Sequence, residues 1–124
     1  MRRLALIGLT LAAFLSPSLV GAKTVSAFGI RLQRCVVLEN AAHTEVTGVN
    51  VVYYNTHDTP ATEVDFLVQY HGKNYTLTDT GSFTHFAQVD HTLTGAIAGT
   101  VWQGDTPDLC TPGRVMFANG KVLQ

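Results

Sequence analysis

The chain has 124 residues, with 8 Lys+Arg against 9 Asp+Glu, 5 His and 2 Cys. That length suits one domain, and a composition 46% apolar and only 14% charged excludes a disordered polyelectrolyte. A formal charge of −1 excludes a nucleic-acid binder that works by neutralising phosphates.

The chain opens with Met1-Arg2-Arg3, an almost uninterrupted apolar run over 4–15, and a small-residue exit through Ser16-Pro17-Ser18-Leu19-Val20-Gly21-Ala22. A basic start, a short greasy core and a small-residue exit form the secretory signal pattern. The run is shorter than the ~20 residues a membrane-crossing helix needs. Val20 and Ala22 suit the −3 and −1 positions, so cleavage is expected between Ala22 and Lys23, and no Cys follows to take a lipid. The organisation read here is a signal peptide over 1–22 and a single domain over 23–124. Removing 22 of the 124 residues leaves 102, with 6 Lys+Arg against 9 Asp+Glu. Such a chain is expected to be secreted or periplasmic, with no stable membrane insertion after cleavage and no attraction to nucleic acid.

After residue 23 the dominant signal is alternation with period two. The segments 30–38 and 46–54 are rich in β-branched and aromatic side chains. Asn55-Thr56-His57-Asp58-Thr59-Pro60 carries loop chemistry. Over 61–71, Val64, Phe66, Val68 and Tyr70 face one way; Glu63, Asp65, Leu67, Gln69 and His71 face the other. A turn at Gly72-Lys73 then pairs Tyr70 with Tyr75 and Val68 with Leu77, and 74–80 alternates again. In Asp79-Thr80-Gly81-Ser82-Phe83 the sequence predicts a turn that Asp79 and Ser82 serve. A strand over 86–93 follows, then a loop over 103–108. Asn119-Gly120 predicts a type I′ hairpin between 115–117 and 121–123. No segment carries a helical apolar stripe. About seven short strands with turns every ten residues or so predict an all-β, antiparallel two-sheet immunoglobulin-like sandwich, with a small barrel as the competing closure.

Cys35 and Cys110 both survive cleavage. In an exported domain of this size an even pair reads as one disulfide, because no CxxC spacing or adjacent His suggests a metal.

The stretches Ala61-Thr62-Glu63-Val64-Asp65-Phe66, Tyr75 to Phe83 and Asp90-His91-Thr92 resemble a group of small, uncharacterised bacterial secreted proteins. In these a strand ending in D-x-G-[ST]-F precedes a short loop and a strand that carries a His. Thr84-His85-Phe86 stands here where those proteins have an S-P-G-like loop. The resemblance implies a secreted sandwich and supplies no catalytic residue.

Four groups of residues could carry chemistry. His43, His57, His71 and His85 recur every 14 residues and His91 follows, but the intervals share no other pattern. Without HxH or HxxH spacing, a copper or zinc site would need His57, His85 and His91 to be gathered by the fold. Glu63 and Asp65 share one strand face, where both stay ionised, rather than facing each other across a cleft as glycosidase acids do. Ser26 and Ser82 are the only serines after residue 23; neither lies in a G-x-S-x-G elbow, and Asp90 and His91 as strand neighbours point apart. Trp102, Phe83 and Phe86 remain as loop aromatics able to form a recognition patch, and Thr76, Thr78 and Thr80 as a strand edge open to pairing. The function expected is that of a non-enzymatic binding or interaction module without a cofactor, its partner a protein or a cell-surface component. A histidine-based periplasmic metal protein is the alternative.

Overall fold

The computed structural model describes residues 24–124; the signal peptide read over 1–22 and its cleavage point lie outside them. The described chain forms eight strands: β1 (Val25–Ala27), β2 (Ile30–Glu39), β3 (Val46–Asn55), β4 (Ala61–Tyr70), β5 (Lys73–Phe83), β6 (Gln88–Leu93), β7 (Leu109–Phe117) and β8 (Val122–Leu123). One 3-10 turn, Gly95–Ile97, lies between β6 and β7. β1-β2-β3-β6 make the first sheet and β5-β4-β7-β8 the second, all antiparallel. The chain changes sheet after β3, after β5 and again after β6. The hairpin β2–β3 is thereby completed by β6 and the hairpin β4–β5 by β7, the crossed arrangement of an immunoglobulin-like sandwich.

Alternation produces the core. Ile30 and Leu32 of β2, Val49, Val51 and Tyr53 of β3, Val64, Phe66 and Val68 of β4, Leu77 of β5, and Val115 and Phe117 of β7 are buried between the layers. Each strand gives the other face to water, which is what a two-layer antiparallel fold requires. Tyr53 packs edge-on against Phe66 (centroids 5.1 Å apart) and Phe83 (5.7 Å), linking the sheets through aromatic contacts. Cys35 on β2 and Cys110 on β7 form a disulfide between the two sheets, with Cα atoms 6.5 Å apart and 75 positions between them.

Four local expectations are corrected. The β4–β5 turn is His71-Gly72, both with positive φ (45° and 81°), so Tyr70 pairs with Lys73, Val68 with Tyr75 and Phe66 with Leu77. His71 is held there because its N–H donates to Asp108 Oδ2 (2.9 Å) and its Nε2–H to the Gln103 carbonyl (3.0 Å). The shift is two residues, so each side chain keeps the face the alternation assigns it. Asn119-Gly120 is not a type I′ pair. Only Gly120 has positive φ; Ala118 turns its N–H away to the Pro60 carbonyl (2.8 Å), and Phe117 N–H donates to the Lys121 carbonyl (2.9 Å), closing a three-residue loop of 118–120. Asn55 closes β3 as a wholly buried residue instead of opening a loop. Its side chain holds the following turn, donating to the Thr59 and Phe83 carbonyls and accepting from His57 N–H. Finally, Asp79 and Ser82 lie within β5 rather than in a turn, because the alternation that turns Tyr75 and Leu77 inward continues to Asp79.

Candidate binding face

The outer face of the first sheet follows from its register. Arg31 of β2 lies beside Tyr54 of β3, which lies beside Gln88 of β6; the next row is Arg34, Val52 and Asp90; the next is Val36, Asn50 and Thr92. Tyr53 points into the core, so its neighbour Tyr54 points out. The Arg31 guanidinium lies 6.0 Å from the centre of the Tyr54 ring, a cation–π distance. A bulge between Leu32 and Arg34 frees Gln33, whose Oε1 accepts from Gln88 Nε2 at 3.2 Å. Asn50 donates to Asp90 Oδ1 at 2.8 Å. Neither Arg31 nor Arg34 forms an ion pair among the described residues.

Phe86 completes this face. Its ring stands edge-on to Tyr54 at 6.0 Å and lies 3.9 Å from the ring of His85, yet it remains 61% exposed. Its backbone has φ 61°, a left-handed conformation that a bulky L residue adopts only at a cost of roughly 1–2 kcal/mol. Two hydrogen bonds hold it: Phe86 N–H donates to the Asn55 carbonyl (2.8 Å), and His85 Nδ1–H to the His57 carbonyl (3.0 Å). A strained backbone that presents a phenyl ring to water adds nothing to the core.

The other aromatics do not join Phe86. Phe83 is only 5% exposed and packs on Tyr53 inside the sandwich. Trp102 packs against the core at the opposite end, where its backbone N–H donates to the Thr44 carbonyl just before β3 begins and its indole N–H is buried without a partner among the described residues. Phe86 is fastened where β3 ends, so the ten residues of β3 separate the two, about 30 Å at the usual rise per residue. The expected single patch of Trp102, Phe83 and Phe86 is therefore not assembled.

The histidines are dispersed as well. His57 and His85 are neighbours through the His85 bond to the His57 carbonyl, and the His57 ring lies against Phe117 at 4.5 Å. His91 pairs with Val51, about 13 Å back along β3 from Asn55. Among the described residues no three His, Cys, Asp or Glu side chains converge as metal ligands. On the second sheet, Glu63 and Asp65 flank Arg114 at 3.0 and 3.9 Å, and Asp65 also accepts from the Thr78 hydroxyl at 2.7 Å. These acids form a solvated ion-pair cluster.

The sequence reading missed the polar centre of the molecule. Asp79, buried at 6% exposure, accepts from the Tyr53 hydroxyl (2.8 Å) and from His91 Nδ1–H (2.7 Å), and so ties β3, β5 and β6 together. Burial foremost, and then the bond to Asp79 and its negative charge, push the Tyr53 hydroxyl far above the ordinary phenol range. His91 turns inward in phase with Val89 and Leu93, as expected, and its side chain stays 47% exposed at the sheet edge. It borders a shallow open groove of about 520 Å³ between the β5 and β6 edges, lined also by Ser82, Phe83 and Asp90. No family model, curated protein or solved structure matches the chain. Its chemistry is therefore argued from its own residues. Among the described residues His91 is oriented by Asp79, and Ser82 makes no hydrogen bond with it. Phe86, Arg31 and Arg34 have no evident structural purpose on this face.

Proposed function

We propose that this chain is an exported, non-enzymatic binding module whose outer first-sheet face grips an acidic polysaccharide of a cell surface, in the periplasm or the medium. The leader pattern over 1–22 and the resemblance of 61–92 to secreted sandwich proteins support export. So does the inter-sheet disulfide, which fits an oxidising compartment. No helix among the described residues is long and apolar enough to cross a membrane.

The observation that carries the reading is Phe86, strained in its backbone, exposed, and set against Tyr54 beside Arg31. Aromatic rings take the C–H faces of a pyranose, planar amides such as Gln33 and Gln88 take its hydroxyl pairs, and unpaired guanidinium groups take a carboxylate with two parallel hydrogen bonds. Arg31 and Arg34 outnumber Asp90, which Asn50 engages, on one face of a chain whose net charge is negative.

Calorimetric titration with a uronate hexasaccharide, beside a neutral hexasaccharide, tests this. The expected result is saturable binding of the uronate and weak or no binding of the neutral sugar. Phe86→Gly and Arg31→Gln should each weaken uronate binding by about tenfold or more while the circular dichroism spectrum stays unchanged. No uronate binding up to roughly 1 mM, or binding indifferent to both substitutions, overturns the proposal.

A further inference from the structure

The sandwich has four sheet edges, and they are treated unequally. β1 has three residues and β8 two, too short to template another strand. β6 has six and carries Asp90 and His91. β5 runs for eleven residues from Lys73 to Phe83, and its exposed face is Asn74, Thr76, Thr78 and Thr80, without a charge or a proline. Among the described residues its backbone bonds to β4 alone, except at the Phe83 carbonyl, which also accepts from Asn55 Nδ2. Edges are ordinarily blunted by shortness, charge, proline or cover. From Lys73 to Thr80, β5 has none of these apart from the terminal lysine and the inward-pointing Asp79.

We propose that the β5 edge pairs with the β5 edge of a second copy of this chain, making one continuous eight-stranded antiparallel sheet. The choice of occupant rests on self-complementarity. With a two-fold axis at Leu77, Thr76 faces the second copy's Thr78 and Asn74 faces its Thr80, pairs that suit neighbouring strands. Lys73 and Asp79 are the only charged residues of β5. Lys73 then faces the second copy's Gly81, Asp79 faces its Tyr75, and the diagonal neighbour of Lys73 is the second copy's Asp79. No like charges oppose each other, since Asp79 is turned inward onto Tyr53 and His91. Because the axis consumes both free edges, association stops at a dimer rather than growing into a filament. The dimer carries two sugar-gripping faces, a consequence that holds only if the preceding proposal does; the pairing itself does not depend on it.

Sedimentation equilibrium of the processed protein, without sugar, reads the association directly. The expected result is a concentration-dependent dimer that Thr76→Lys weakens by about tenfold or more, because each new lysine lies diagonally across the axis from its own copy. Thr111→Lys, on central strand β7, should leave the dimer intact. As a readout that needs no variant, amide hydrogen exchange across 74–80 of the wild-type protein should slow as concentration rises. A protein that stays monomeric to roughly 1 mM, a dimer that Thr76→Lys does not weaken, or exchange over 74–80 that ignores concentration overturns the proposal.

Discussion

Asp79 shows how one residue can decide a neighbourhood. A carboxylate enters a sandwich interior only when its lone pairs are satisfied, and Tyr53 and His91 satisfy them here. Asp79→Ala would leave the Tyr53 hydroxyl buried without an acceptor, and we expect a loss of about 3 kcal/mol in urea unfolding. Tyr53 makes the pH dependence predictable in sign. Unfolded, its hydroxyl ionises near pH 10. Folded, it holds its proton well beyond that, so the folded state is the more protonated one and stability falls as pH rises through 10, by up to about 1.4 kcal/mol per pH unit. In Tyr53→Phe that contribution to the slope should vanish. An identical slope in wild type and variant above pH 10 would show that Tyr53 ionises freely. Phe86 is the opposite kind of residue. Phe86→Gly removes an exposed ring and relieves a left-handed backbone, so its stability should lie within about 1 kcal/mol of wild type, whereas core Phe117→Ala should cost about 3–5 kcal/mol.

At the scale of elements, face assignment was legible and turn geometry was not. Side-chain period alone separates Val64, Phe66, Val68 and Tyr70 from Glu63, Asp65, Leu67 and Gln69, and the structure keeps every one of these assignments. The same alternation, carried two positions past Leu77, would have turned Asp79 inward; local turn chemistry in Asp79-Thr80-Gly81-Ser82 drew the reading away. The two hairpins in which both turn residues have positive φ use Phe28-Gly29 and His71-Gly72, aromatic residues where asparagine or aspartate is preferred. Asn119-Gly120, the better local signal, lost to a long-range bond from Ala118 to the Pro60 carbonyl. Phe86 was legible as a candidate because it is a large ring among turn residues. Arg31 and Tyr54 were not, since only the β2–β3 register puts them side by side. The glycines allow a check at this scale. At Gly48 an added Cβ would lie 2.8 Å from the Leu93 carbonyl oxygen, which belongs to a paired strand and cannot swing aside. At Gly72 it would meet nothing, leaving only the left-handed φ as penalty. Gly48→Ala should therefore cost clearly more than the ~1 kcal/mol expected of Gly72→Ala, measured by thermal unfolding.

The whole molecule is two layers joined by apolar packing, one polar knot and one covalent bond. The disulfide ties β2 of the first sheet to β7 of the second and closes a loop of 75 residues, worth about 4 kcal/mol if it acts through the unfolded chain. The double substitution Cys35→Ala with Cys110→Ala should lower the unfolding midpoint by roughly 15 °C or more while leaving the strand content intact. With the layers so fixed, the first sheet can hold Arg31, Tyr54 and Phe86 in place without an ordering cost on binding, which is the condition for a rigid recognition face. The most direct test is an amide NMR titration of the isotopically labelled protein with the uronate hexasaccharide. Shifts concentrated at Arg31, Gln33, Tyr54, Phe86 and Gln88 are expected. Shifts centred instead on Trp102, or on the groove beside His91 and Ser82, would contradict this binding face.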